Sequence, residues 1–212
     1  MTDPKYSQTR ITAEYDASLL SWIATAERQE AVGQVLFSRL LPLLGVGKHD
    51  PVLEIGSGVG QLTRIAREHG YSVTGSDVVP SFMDYMKESG IPCTTIDART
   101  INISDTWAGI FTQGLSPIIT RDLKTVEATY RSIYSALRPG GRFLLILPRG
   151  DKARFSRASE HRQIYGDVGF TQLAAFRQQM FPARIYRHKA AVIPELVAGR
   201  WFGVRDIRVL QK

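Results

Sequence analysis

The sequence predicts an α/β protein built on a doubly wound, mostly parallel sheet. Three observations carry this. Short apolar runs alternate with amphipathic stretches of helical period along most of the chain. The first of these runs, Val52-Leu53-Glu54-Ile55, passes through Gly56-Ser57-Gly58-Val59-Gly60 directly into a helical pattern at Gln61. The run Phe143-Leu144-Leu145-Ile146-Leu147 is apolar at every position, as a strand covered on both faces has to be.

The elements follow in chain order. Residues 10–44 read as helical, with Leu19, Leu20, Ile23, Val32, Val35, Leu36 and Leu40 near a 3.6 period and Pro42 ending the pattern. Tyr6, Tyr15 and Trp22 fall in its first part. After strand one and the glycine turn, a helix over 61–69 stops at Gly70, a natural C-cap. Strand two ends Val73-Thr74-Gly75-Ser76-Asp77, and Pro80 opens a helix that runs through Glu88 to Gly90. Strand three, Pro92–Ile96, runs into Asp97, and strand four is expected near Ile110-Phe111-Thr112. A long amphipathic helix over Leu123–Leu137 is stopped by Pro139-Gly140-Gly141, which leads into strand five. Further on, Ala153–Ile164 is polar and basic, and Thr171–Met180 reads as a helix broken by Pro182. Val204–Leu210 alternates as a last strand, with Val204, Ile207 and Val209 as its buried set and Arg184–Ile193 as its expected partner.

The glycine turn carries the chemistry. Glycines bring bare backbone close to a ligand because no Cβ stands in the way. A dinucleotide site wants Gly-x-Gly-x-x-Gly so that pyrophosphate can sit on the helix N-terminus. Here the third glycine comes one residue early, at Gly60, and Gln61 holds the position of the dinucleotide glycine. Glu54, just before the turn, would repel a pyrophosphate and suits a cationic ligand. S-adenosylmethionine, with a sulfonium, an ammonium group and no phosphate, fits this turn better than NAD. Asp77 lies about twenty residues past the first glycine, the spacing at which an acid accepts from ribose hydroxyls. Asp97, followed by small Ala98, can accept from an adenine amino group. All three acids end strands, where open α/β sheets bind ligands.

On these residues the chain resembles the class I S-adenosylmethionine-dependent methyltransferases over roughly residues 30–148. The resemblance rests on Glu54-Ile55-Gly56-Ser57-Gly58-Val59-Gly60, on Asp77, on Asp97-Ala98 and on Leu137-Arg138-Pro139-Gly140-Gly141-Arg142. It implies a seven-stranded sheet closed by a hairpin whose last strand is antiparallel. It also implies a single domain, 1–212: an N-terminal helical cap at 1–45, a cofactor-binding core at 46–148 and an acceptor-side segment with the C-terminal strands at 149–212. The expected cofactor contacts are Glu54, Gly56, Ser57 and Gly58 at the methionine end, Asp77 and Val78 at the ribose, and Asp97 and Ala98 at the adenine. Gln113 is expected on the methionine and acceptor side, and Tyr15 over the sulfonium, where an aromatic face favours a cation. One departure stands out: the family carries an acid at the start of strand four, and this chain has Trp107-Ala108-Gly109 there.

The acceptor side is expected after strand five and beneath the N-terminal helix. Arg149, Arg154 and Arg157 could clamp a carboxylate or phosphate, and His161 or Tyr165 could orient or deprotonate the acceptor. Absent patterns remove several chemistries. There is no Asn-Pro-Pro-Tyr or Asp-Pro-Pro-Tyr, and Cys93 follows Pro92 on the wrong strand for a cytosine-C5 nucleophile and reads as a buried small apolar residue. The four histidines, His49, His69, His161 and His188, are too dispersed for zinc. No metal is expected.

Bulk properties bound the rest. The net charge is +7, concentrated from Arg149 onward, and favours an anionic partner. A single cysteine excludes an intrachain disulfide, and no apolar run approaches a membrane span or the core of a signal peptide. A cytoplasmic protein is expected. The leading reading is a methyltransferase acting on a small anionic metabolite. An RNA methyltransferase, a non-catalytic cofactor- or partner-binding protein and a dehydrogenase are the alternatives.

Overall fold

The computed structural model describes residues 14, 15, 17–148, 158–179 and 203–212. Seven strands form one sheet: β1 (Val52–Ile55), β2 (Val73–Asp77), β3 (Cys93–Thr95), β4 (Trp107–Gln113), β5 (Leu137–Pro148), β6 (Thr171–Gln179) and β7 (Gly203–Gln211). Their spatial order is β3-β2-β1-β4-β5-β7-β6. Strands β1 to β5 pair in parallel, and β7 runs antiparallel between β5 and β6. The described helices are α1 (Leu19–Ser38), α2 (Gln61–Glu68), α3 (Pro80–Glu88), α4 (Leu123–Ala136) and α5 (Ala158–Val168).

Two apolar layers cover the sheet. On one face Leu53, Ile55, Ile110, Phe143, Leu145 and Leu210 pack against Tyr130 and Ile133 of α4 and Tyr165 of α5. On the other, Val52, Val73, Phe111, Leu144 and Val209 pack against Phe37 of α1 and Leu62 and Ile65 of α2. Alternate residues of β5 serve the two layers, so every side chain from Phe143 to Leu147 is buried, as its continuous apolar run requires. The Phe37 and Phe111 rings, 4.9 Å apart, lock α1 onto β4.

The chain leaves central β1 for β2 and β3 and then crosses back to β4 on its other side. This reversal opens a crevice at the C-terminal ends of β1 and β4, where doubly wound sheets bind ligands. Polar side chains pin its rim. Thr112 Oγ1 donates to the Ile55 carbonyl at 2.6 Å, and Ser76 Oγ donates to the Glu54 carbonyl at 2.8 Å.

Several expectations need correction. The N-terminal helix ends at Ser38, and a short 3-10 turn, Leu41–Leu44, carries the chain on to Gly45 at φ 62°. Thr171–Gln179 is not a helix; it is edge strand β6, and it takes the place beside β7 expected of Arg184–Ile193, a segment outside the described residues. Leu, Ala and Gln are good helix formers, but pairing of eight residues with β7 overrides that preference. Within β7, Ile207 and Val209 are buried as expected, and so are Leu210 and Arg208. Cys93 is only half-buried, on β3 at the other sheet edge. At Gly109, in the stretch where the resemblance leads one to expect an acid, space is tight: a Cβ there would meet Val46 Cγ1 at 3.1 Å and Leu44 Cδ2 at 3.4 Å.

Candidate active site

A cavity of about 260 Å³ occupies the crevice. Its floor is the glycine turn. Gly56, Gly58 and Gly60 all have positive φ, at 70°, 55° and 75°, a region that favours glycine. A Cβ on Gly56 would lie 2.9 Å from Leu115 Cδ1, and one on Gly60 would lie 2.8 Å from Met86 Cε. A Cβ on Gly58 would meet no protein atom, so that residue faces open space.

Glu54 is buried beneath the turn, 2% exposed, and accepts from Thr63 Oγ1 at 2.5 Å. Burial pushes its carboxyl up to about 8 against the hydrogen bond from Thr63. Asp77 braces the turn: Oδ2 accepts from the Gly58 N–H at 2.9 Å, and Oδ1 accepts from those of Val78 and Val79 at 2.8 and 3.1 Å. Burial raises its carboxyl above the ordinary value, and the three backbone donors oppose the shift. Asp97 is also partly buried, but hydrogen bonds from Arg99 hold its carboxyl below the ordinary range.

The roof is helical and aromatic. Tyr15 stacks on Phe82 at 5.9 Å, and Trp22 meets both rings edge-on, at 5.5 Å from Tyr15 and 6.0 Å from Phe82. Gln61, the first residue of α2, donates to the Ala26 carbonyl of α1 at 2.6 Å, and Arg64 pairs with Glu30. These contacts dock α1 over the glycine turn. Beyond Gln113 the cavity continues along Ser116, Pro117, Thr120, Asp122 and Thr125.

Residues 52–141 match the model of a methyltransferase domain family. They hold the glycine turn and both downstream acids, and the fold around them is the one that family uses. This segment is similar to methyltransferase domains. The whole fold is similar to solved methyltransferases. A TehB-like S-adenosylmethionine-dependent methyltransferase from Corynebacterium glutamicum is 18% identical, covers 93% of this chain and 99% of its own, and has a TM-score of 0.67. An S-adenosylmethionine-dependent methyltransferase from Archaeoglobus fulgidus is 13% identical, with 91% and 99% covered and a TM-score of 0.65. One from Mesorhizobium loti is 15% identical, with 82% and 97% covered and a TM-score of 0.60. At these identities the likeness is one of fold. No curated protein matches the sequence.

The cavity fits S-adenosylmethionine. It offers bare backbone at the glycines and carboxyl groups for a cationic ligand, and the arginine among its lining residues, Arg99, is paired with Asp97. Of the expected cofactor contacts, Tyr15, Glu54, Gly56, Ser57, Gly58, Asp77, Val78, Asp97, Ala98 and Gln113 all line it.

Two of the expected acceptor-side residues, His161 and Tyr165, lie elsewhere. His161 is 5% exposed, and its Nδ1 lies 3.1 Å from the buried Tyr130 hydroxyl. Burial and the nearby Arg208 guanidinium push the imidazole down to about 4. Tyr165 is 1% exposed and donates to Gln172. Both side chains belong to the layer between α5, α4 and β7, because α5 turns that face toward the sheet, and neither lines the cavity. Arg149, Arg154 and Arg157 lie outside the described residues. No group of metal-ligating side chains occurs among the described residues, and no helix among them is long and apolar enough to cross a membrane.

Sequence reasoning passed over Thr25, Gln29, Phe82, Arg99, Ser116, Thr120, Asp122 and Thr125 as cavity residues. Two of these carried a signal. Arg99 directly follows Asp97-Ala98, and Asp122 is the N-cap of α4, accepting from the Lys124 N–H, in a loop that leaves the ligand end of β4.

Proposed function

We propose that this methyltransferase acts on a small-molecule acceptor. The observation that carries this reading is the covered cavity: α1 lies across the glycine turn, and the space beyond Gln113 is a pocket walled by Ser116, Thr120, Asp122 and Thr125. A nucleic-acid substrate would call for an open basic surface with stacking platforms. The +7 charge and the arginines that follow β5, Arg149, Arg154 and Arg157, support an anionic group on the acceptor. The single cysteine supports a reducing, cytoplasmic setting.

S-adenosylmethionine, when bound, supplies an electrophilic methyl group on a sulfonium. The chain's own residues bind and orient. The Gly56 and Gly58 backbone admits the methionine end, with Glu54 beneath it to accept from an ammonium. Asp77 keeps the turn in shape and faces the ribose, and Asp97 faces the adenine. Tyr15 and Trp22 exclude water from above, and a π face there favours positive charge. Holding a nucleophile in line with the methyl group is most of what the protein must add. No described side chain in the cavity is a histidine or lysine positioned as a base, so an acceptor that is nucleophilic as bound suits it best.

The test is release of S-adenosylhomocysteine across a panel of small amines, phenols and carboxylates, run beside total RNA as acceptor. Turnover on a small molecule with none on RNA is expected. Turnover on RNA alone, with binding that weakens steeply as salt rises, would replace this reading with a nucleic-acid methyltransferase.

A further inference from the structure

Among the described residues, the charged side chains lining the cavity are Glu54, Asp77, Asp97, Arg99 and Asp122. Three of the four acids are committed within the protein. Glu54 is buried and accepts from Thr63. Asp77 directs both oxygens at backbone N–H groups, those of Gly58, Val78 and Val79. Asp97 directs both oxygens at Arg99. Asp122 differs. It follows β4, on the other side of the glycine turn from Asp77 and Asp97, and is half-buried at the N-cap of α4. Its Oδ1 accepts from the Lys124 N–H at 3.1 Å, and its Oδ2 accepts from Thr125 Oγ1 at 2.8 Å. A carboxylate offers about four lone-pair sites, so about half of its acceptor capacity is left over. The hydrogen bond from Thr125 holds the carboxyl below its ordinary value, which keeps it ionised at neutral pH. The lining residues beside it, Ser116, Pro117, Thr120 and Thr125, carry no charge.

We propose that Asp122 anchors an ammonium group on the methyl acceptor. The inference rests on the acceptor taking the space beyond Gln113, as proposed above. An ionised carboxylate keeps an amine beside it protonated, and a protonated amine has no lone pair with which to attack a methyl group. The ammonium is therefore a handle, and the nucleophilic atom is a second group on the same molecule. The acceptor class is an amine that carries a further nucleophile. The anionic group proposed above is a separate requirement, and an acceptor that meets both is a zwitterion.

Binding of matched probes in saturating S-adenosylhomocysteine tests this. Phenethylamine and phenethyl alcohol form one pair, and butylamine and butyl alcohol form another, so that each pair sets a cation against a neutral group on one skeleton. All are titrated by NMR into the full chain and into Asp122→Asn, which removes the charge and keeps a good N-cap. At least one amine is expected to bind the unsubstituted protein about tenfold tighter than its alcohol, the range of one hydrogen bond to a charged group. In Asp122→Asn that preference should fall to within about threefold, while affinity for S-adenosylhomocysteine stays within about twofold. If Asp122→Asn does not fold, as judged by near-ultraviolet circular dichroism, Asp122→Ser, which also caps a helix, carries the comparison. Amines that bind no tighter than their alcohols, or a preference that survives in a folded variant, overturn the role of Asp122 and leave the cofactor site standing. A loss of about tenfold or more in the variant's affinity for S-adenosylhomocysteine overturns it too, because Asp122 would then face the cofactor. Failure of the unsubstituted protein to bind S-adenosylhomocysteine overturns the proposed function as well.

Discussion

Replacing Glu54 by Gln removes a buried ionisable group and leaves its shape. In the folded protein the Glu54 carboxyl is held near 8, against an ordinary value of 4.5, because burial strips it of water. The folded state therefore keeps a proton that the unfolded chain gives up above about pH 4.5. The unfolded state binds fewer protons across that window, so stability falls as pH rises from about 4.5 to about 8 and levels off beyond. At about 1.4 kcal/mol per pH unit, the whole window is worth up to about 5 kcal/mol. Glu54→Gln cannot ionise and loses this slope. Urea unfolding of both proteins at intervals from about pH 5 to about pH 9 isolates the effect, since every other titrating group, Asp77 included, is common to both. The stability of Glu54→Gln minus that of the parent should climb by several kcal/mol between the ends of this range. A difference that stays flat would show that Glu54 ionises normally in the folded protein and would undo the argument. The same cycle run with S-adenosylhomocysteine links the site to its ligand: a bound ammonium draws the proton off Glu54, so parent affinity should rise toward pH 8 and the variant's should not.

The other expectations can be checked individually. The His161 imidazole is depressed to about 4 by burial and Arg208, so its contribution is intact above about pH 6.5 and is lost as pH falls toward 4. His161→Leu should remove up to about 3 kcal/mol of acid sensitivity, read as melting temperature against pH. Gly58→Ala meets no protein atom but keeps a φ of 55°; it should cost about 1 kcal/mol of stability while weakening S-adenosylhomocysteine by about tenfold or more, measured by calorimetry. Gly56→Ala adds a clash with Leu115 to the same strain and should unfold at a clearly lower urea concentration than Gly58→Ala. Phe37→Ala, which empties a site 1% exposed against Phe111, should cost about 3–5 kcal/mol in urea unfolding and undock α1 from the sheet.

Much of the architecture was readable because its signals are local. The glycine turn needs positive φ at alternate residues, which glycine takes up without strain, so Gly56, Gly58 and Gly60 declare the turn. Helices α2 and α3 are bounded by Gly70, Pro80 and Gly90, whose backbone rules act within a few residues. The errors lie where distant pairing decides. Thr171–Gln179 has the composition of a helix and becomes a strand only because β7 offers it a backbone ladder. His161 and Tyr165 follow a run of arginines that reads as the acceptor side until α5 is docked, when its inward face proves to carry both into the core.

The sequence by itself determined a ligand cradle: the glycine turn, the carboxyl beneath it, the acid that ends β2 and the acid just beyond β3, all signalled by short-range backbone geometry and charge. Tertiary structure alone decided what surrounds that cradle. It raised α1 and its aromatic rings over the turn, brought Asp122 and Thr125 to the far wall, took His161 and Tyr165 out of the cavity, and bound Asp97 to Arg99. Those outcomes depend on which faces of distant elements meet, and burial and charge at a meeting face exist only once the sheet has assembled.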